Sequence, residues 1–167
     1  MRVRLPTITI DTNCINAKPS LRAMTRLEQL HSEGRVQIVK TDVLDTELSE
    51  WQGHLGERAR RKSAQLREDI GVWVLGHSRL GHMQLAGDDD VVLYEELAQE
   101  IFELPQERLN RQQVRDVMIV ATHLKHGRDY LVTLDRGVSG RASRLWEKFG
   151  ITVLTPDECL SLVEAKR

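Results

Sequence analysis

The chain has 167 residues, 40% of them hydrophobic and 29% charged, with a formal net charge of −1. That length suits one domain spanning 1–167, and the composition is that of a soluble globular protein, not of a disordered or membrane chain. A charge this close to zero excludes a protein that coats nucleic acid indiscriminately, so any such contact is regional. No run approaches ~18 apolar residues, and Met1-Arg2-Val3-Arg4 leads into a strand and not into a signal-type apolar stretch. A cytoplasmic protein with no membrane contact is therefore expected. Cys14 and Cys159 stand far apart, without CxxC or Cys/His metal spacing, which predicts ordinary packing for both.

In chain order, Thr7 to Ile10 alternates Thr with Ile, which predicts a strand, and Asp11-Thr12-Asn13 supplies turn chemistry. In an open parallel sheet Asp11 falls at a strand's carboxyl end, where such sheets place ligands; capping of the next turn is the structural alternative. Pro19-Ser20 introduces a helix with Leu21, Met24, Leu27 and Leu30 on one side, ending near Gly34. Val36 to Lys40 is a second strand, and Thr41-Asp42 opens a helix carrying Val43, Leu44, Glu47, Leu48 and Trp51. Gly53 to Gly56 interrupts. A helix over Glu57 to Trp73 follows, with Leu55, Ala59, Leu66, Ile70 and Trp73 on one face. Its basic residues, Arg58, Arg61 and Lys62 foremost, form either a solvated face or a surface for phosphates or an acidic partner. Gly71 to Gly87 is a loop, because His77 and His82 lack the spacing of a metal-binding helix face.

Asp88-Asp89-Asp90 starts a helix through Leu93, Leu97 and Ile101, its acids suiting the helix N-terminus. Asn110 and Gln113 form a capping box for a helix whose stripe is Val114, Val117, Met118, Ala121 and Leu124. Asp116 sits in this apolar context and needs a reason to be there. His123 and His126 are expected to face solvent. Tyr130 to Leu134 is a strand that ends on Asp135, as the first strand ends on Asp11. A helix over Ser139 to Phe149, a strand over Ile151 to Leu154 and a final helix announced by Thr155-Pro156-Asp157-Glu158 complete the alternation. Strands alternating with helices predict a three-layer α/β/α fold around a parallel sheet of four to five strands, with an enlarged helical middle at 53–105.

Ile-Asp-Thr-Asn at the start, Glu-Leu at 47–48, Arg-Asp-Val-Met-Ile-Val-Ala-Thr at 115–122 and Leu-Val-Thr-Leu-Asp-Arg at 131–136 together resemble the PIN-domain ribonucleases, including the VapC-type toxins. The resemblance runs over almost the whole chain, down to Gly-Ile-Thr-Val-Leu-Thr-Pro, and is loose over 53–105. It implies an endoribonuclease whose catalytic and metal-binding acids are Asp11, Glu47, Asp116 and Asp135, with Thr12, Asn13 and Thr133 in support. It also implies one or two Mg²⁺ or Mn²⁺ ions, an RNA substrate cleaved to 5′-phosphate ends, an antitoxin if the chain is a toxin, and a homodimer as one assembly. Asp42, Asp45 and Glu50 are neighbouring alternatives to Glu47. Arg115 and Arg136 flank two of the acids and are candidates for phosphate contact, or for simple surface charge. Independently of any resemblance, clustered carboxylates repel one another, and oxygen-only ligands suit Mg²⁺ or Mn²⁺. Two other readings stand beside this one. A PIN-like module could act by binding alone, or a phosphatase of the haloacid dehalogenase type could use Asp11, although Asn13 stands where that motif needs its second acid.

Overall fold

A computed structural model describes residues 4–15, 21–72, 74, 77–78 and 84–165. Its centre is a five-stranded, all-parallel sheet in the order β3-β2-β1-β4-β5, made of β1 (Thr7–Ile10), β2 (Gln37–Thr41), β3 (Arg67–Asp69), β4 (Tyr130–Val132) and β5 (Val153–Leu154). Parallel neighbours need crossover connections, and helices supply them: α1 (Arg22–Ser32), α2 (Asp42–Glu50), α3 (Gly53–Ser63), α4 (Asp88–Phe102), α5 (Arg111–Lys125), α6 (Arg136–Ser139), α7 (Ala142–Phe149) and α8 (Pro156–Ala165). Both sheet faces are covered, which gives three layers. On one face Ile8, Ile10, Ile38 and Val132 pack with Met24, Leu27 and Leu30 of α1, Leu44 and Leu48 of α2, and Cys159 and Val163 of α8. On the other, Leu131 and Val153 pack with Leu97 and Ile101 of α4, Val117 and Val120 of α5, and Leu145 of α7. Among the described residues no helix is long and apolar enough to cross a membrane.

β1 is central, and all four of its residues are buried. Its threonines, on the side opposite the isoleucines, are therefore hydrogen-bonded: Thr9 Oγ1 lies 3.0 Å from His123 Nδ1, and Thr7 Oγ1 donates to Asp129 Oδ2 at 2.7 Å. This corrects the expectation for His123, which is not solvent-facing but 2% exposed. His126 is half-buried, with Nε2 3.0 Å from the Ile70 carbonyl. The cysteines pack as expected, both buried and free. The Asn110/Gln113 and Thr155/Glu158 capping boxes form, and Asp90 accepts from the Gly87 N–H at 2.9 Å to start α4.

The helix expected over Glu57 to Trp73 is not what forms. α3 begins at Gly53 and ends at Ser63, Leu66 lies beyond it, and Arg67–Asp69 is the edge strand β3, paired with Val39–Thr41; Trp73 lies outside the described residues. The middle segment is thus not purely helical. Gly56 does not break the helix. A Cβ there would lie 2.4 Å from the Trp51 carbonyl oxygen, so glycine allows α3 to close on the end of α2. The strand Arg-Glu-Asp has no alternating apolar pattern because it is a short, charged edge. What fixes it is Asp69, 2% exposed, which accepts from Arg128 Nε and NH2 at 2.6 Å each. Two smaller differences concern boundaries. β4 stops at Val132, and the helix expected over 139–149 is two helices, α6 capped by Asp135 and α7 from Ala142.

Removing one member of a buried ion pair strands the other charge. Arg128→Met should therefore cost about 3 kcal/mol and lower the melting temperature by roughly 6–12 °C, and adding Asp69→Asn to the same chain should restore much of the loss. Thermal denaturation of the single and double variants checks this; equal melting of Arg128→Met and wild type would refute it.

Candidate metal centre and nucleic-acid cleft

Sheet order places the change of direction between β1 and β4, and open α/β sheets bind ligands outside the carboxyl ends of strands at such a point. Asp11 follows β1 directly. Its backbone N–H continues the ladder to the Val132 carbonyl at 3.0 Å, and its side chain caps a short 3₁₀ turn over Thr12–Cys14. The carboxylate, 6% exposed, accepts from the Thr12 N–H at 2.6 Å, Asn13 Nδ2 at 2.8 Å and Thr133 Oγ1 at 2.7 Å. The turn-capping role weighed for Asp11 is therefore real, and it fixes the carboxylate that faces the cleft.

Thr133 and Asn13 tie the two strand ends together. Thr133 Oγ1 also accepts from the Asp135 N–H at 2.9 Å, and Asn13 Oδ1 accepts from the Leu134 N–H at 3.0 Å. Asp135 Oδ1 in turn accepts from the Val138 N–H at 3.0 Å, capping α6. Glu47 comes from the inner face of α2, buried, with Oε2 accepting a short hydrogen bond from Thr12 Oγ1. Asp116 comes from α5, also buried. Gln112, one turn earlier on α5, donates through Nε2 to both Glu47 Oε1 at 3.2 Å and Asp116 Oδ1 at 3.1 Å. Its amide stands between two carboxylates that would otherwise repel.

The alternatives to Glu47 are occupied elsewhere. Asp42 accepts from the Gly71 N–H at 3.2 Å, Asp45 accepts from Lys40 Nζ at 2.6 Å, and Glu50 accepts from both Arg111 and Arg115. Arg115 is not a surface charge. It is 4% exposed, donates to Glu50 at 2.5 and 3.1 Å, and passes 3.8 Å from Glu47. Arg136 is exposed at the start of α6. The basic residues of α3 are not brought to the cleft: Lys62 pairs with Glu28 at 2.8 Å, Arg61 lies 4.0 Å from Glu57, and Arg58 is exposed. A cleft of about 230 Å³ is lined by Asp11, Thr12, Asn13, Glu47, Glu50, Trp51, Gln112 and Arg115, and a narrow recess behind Asp11 continues to Asp116 and Thr133.

Two residues of this site, Gln112 and Trp51, were not anticipated as site residues. Gln112 was legible in principle, since it precedes Asp116 by four and so shares its helix face.

Burial is the main force on these acids. It raises Asp11 to about 6, with the charges of Glu47 and Asp135 adding to the rise against hydrogen bonds from Thr133 and Thr12. Burial raises Asp116 to about 7, followed by the charge of Asp11, with the Gln112 hydrogen bond opposing. Glu47 and Asp135 act on both aspartates and Asp11 acts on Asp116, so the four acids share one electrostatic neighbourhood. As placed, no three His, Cys, Asp or Glu side chains among the described residues are gathered closely enough to hold a metal ion. The donor chemistry, four carboxylates and no sulfur or imidazole, nevertheless fits a hard divalent cation.

Comparison with known proteins finds no matching family model and no matching curated relative. Among solved structures, the chain overlaps the crystal structure of VapBC2 from Rickettsia felis bound to a DNA fragment from their promoter. The TM-score is 0.49 and the identity 11%, over 89% of this chain and 98% of that one. That overlap is too loose to carry chemistry from one protein to the other.

In chelator, the folded protein holds protons on Asp11 and Asp116 that the unfolded chain, with its usual value of 3.8, releases. Stability attributable to these two groups therefore falls as pH rises from about 4 to about 7. His123, pushed down to about 4 by burial, acts in the opposite sense over part of the same range, so variant and parent must be compared at each pH. Asp116→Asn should melt about 3 °C or more above its parent at pH 8, with the advantage vanishing toward pH 4. A difference independent of pH in calorimetry would contradict this origin.

Proposed function

We propose that the protein is a divalent-metal-dependent endoribonuclease of the PIN type. The observation that carries this reading is that acids from four separate segments meet near the carboxyl end of β1: Asp11 lines a cleft with Glu47 and a recess with Asp116, and the charges of Glu47 and Asp135 act on both aspartates. That is the order and placement which the motif resemblance assigns to them. Burying carboxylates together is unfavourable, so their meeting at the end of the sheet where ligands bind calls for a cause.

Asp11, Asp116 and Asp135, with Glu47, would hold one or two Mg²⁺ or Mn²⁺ ions. Such ions, when bound, supply an activated water and polarise the phosphoryl oxygens of the scissile linkage. The chain's own contribution is orientation. Thr133, Asn13 and the Thr12 N–H fix both oxygens of Asp11, and Thr12 Oγ1 aims Glu47 from the side away from Gln112. Gln112 bridges Glu47 and Asp116 through its amide, and a cation held by those carboxylates would offset the repulsion that this neutral donor only reduces. Outer hydrogen bonds of this kind set ligand orientation in metal sites. In the toxin branch of the resemblance, a protein antitoxin would be a further partner, tested by co-expression with the product of the adjoining gene.

Labelled single-stranded RNA incubated with pure protein and Mg²⁺ or Mn²⁺ should be cut internally, leaving 5′-phosphate ends. EDTA should abolish cutting. Asp11→Asn and Asp116→Asn should each lower the rate by about 100-fold or more, and Thr133→Val by about 10-fold. Cleavage that survives chelation, or aspartate variants as active as wild type, would refute the assignment.

A further inference from the structure

We infer that Trp51 is a stacking platform for an unpaired base of the RNA, so that the cleft selects single strands over duplex. This rests on the nuclease reading and adds the substrate's form to it. Trp51 follows α2 directly and is 37% exposed, yet its main chain is held on three sides. Its N–H donates to the Leu48 carbonyl at 3.2 Å, its carbonyl accepts from Arg60 NH1 at 2.9 Å, and Gly56 packs against that same carbonyl. An indole on a fixed backbone has only two side-chain torsions left to order, so little entropy is lost when a ligand covers it.

Position distinguishes Trp51 from the other exposed apolar residues. Trp146, Leu85, Val91 and Val92 are more exposed, but Trp51 lines the same cleft as Asp11, Glu47 and Gln112. Every other residue lining that cleft is polar or charged, which does not suit an apolar helix or a lipid. A polar ligand that offers a flat π face does suit it. Glu50, the residue before Trp51, accepts from both Arg111 and Arg115, so two guanidiniums converge on one carboxylate. Arg111 is 63% exposed on its side chain and is available to a phosphate without unfolding anything. Aromatic stacking beside a guanidinium is how proteins hold single strands without reading sequence. Bases inside a duplex have both faces covered and cannot stack on a side chain in this way.

The test measures binding on an Asp11→Asn background with Mg²⁺, using a short fluorescein-labelled single-stranded RNA and its duplex. Trp51→Ala should weaken single-strand binding by about 5- to 100-fold, the range expected for one lost stacking contact, while Trp51→Phe keeps most of it. Duplex binding should be weaker and indifferent to Trp51→Ala. Stacking involves no counterion, so Trp51→Ala should leave the salt slope unchanged, whereas Arg111→Ala should reduce it by about one. Only main-chain groups of Trp51 make the contacts above, so Trp51→Ala should melt close to the parent.

Wild-type affinity in Trp51→Ala, or an equal loss for single strand and duplex, would overturn the inference. So would intact RNA binding together with loss of a protein partner, which would make Trp51 a protein contact. If Trp51→Ala binds normally while cleavage stays chelator-sensitive and Asp11-dependent, stacking alone fails. If the parent binds no RNA, both readings fail.

Discussion

Carboxylates buried side by side set the terms for the rest of this molecule. Asp11 and Asp116 are each about 6% exposed, and each is pushed well above its usual range, first by burial and then by the other acids. Such a cluster persists only if the surrounding structure holds it, because the acids themselves favour separation. The holding groups are identifiable: backbone N–H donors at the turn after β1, the hydroxyls of Thr12 and Thr133, and the amides of Asn13 and Gln112. Apart from Arg115 passing 3.8 Å from Glu47, these donors are neutral, so they reduce the repulsion without cancelling the charge.

More distant parts of the fold serve the same end. β1 can deliver Asp11 because it is central and buried on both faces, and it is central because β2 and β4 add to opposite sides of it. α2 can deliver Glu47 because its C-terminal end is anchored: Arg60 of α3 donates to the carbonyls of Leu48 and Trp51, and Gly56 permits the close approach. The basic run on α3, which in sequence stood for either a solvated face or a surface for phosphates or an acidic partner, is partly absorbed by this anchoring and by the pairing of Lys62 with Glu28. β3 extends the sheet beyond β2 through a salt bridge to Arg128, in the connection between α5 and β4. Asp69 and Arg128 thus join the edge strand β3 to the chain that runs from α5 into β4.

Sequence patterns were legible where local rules and tertiary burial agree. Ile8 and Ile10, the Asn110–Gln113 box, the Asp88 start and the Thr155–Glu158 box each have a local physical cause, and each formed. So did the alternation that implies a parallel sheet. The acids could be picked out because Asp11 and Asp135 repeat one placement after a strand, and because Asp116 lies in an apolar helix. Illegible were the features decided by long-range contact. Arg67–Asp69 carries no strand pattern, and only pairing with β2 and the Arg128 salt bridge make it one. Glycines 53 and 56 looked like breaks, although Gly56 marks close packing. His123 looked amphipathic until Thr9, on a distant strand, supplied its partner. Arg115 looked like surface charge because its partner Glu50 lies 65 residues away.

That last pairing directs the hydrogen bonds of a buried cation away from the cluster. Arg115 is the buried cation nearest to Glu47, and a direct hydrogen bond between them would neutralise one quarter of the site from within. Instead its guanidinium sits at 2.5 and 3.1 Å from Glu50 and at 3.8 Å from Glu47. Glu50 lies one turn beyond Glu47 on α2 and is the more exposed of the two, so a carboxylate outside the cluster satisfies the arginine. The hydrogen bonds that orient Glu47 come from Thr12 and Gln112, with the Arg115 guanidinium at ion-pair distance and not hydrogen-bonded to it. Arg111 is drawn to the same Glu50. One half-exposed glutamate thus takes the direct hydrogen bonds of both arginines, one helical turn beyond Glu47.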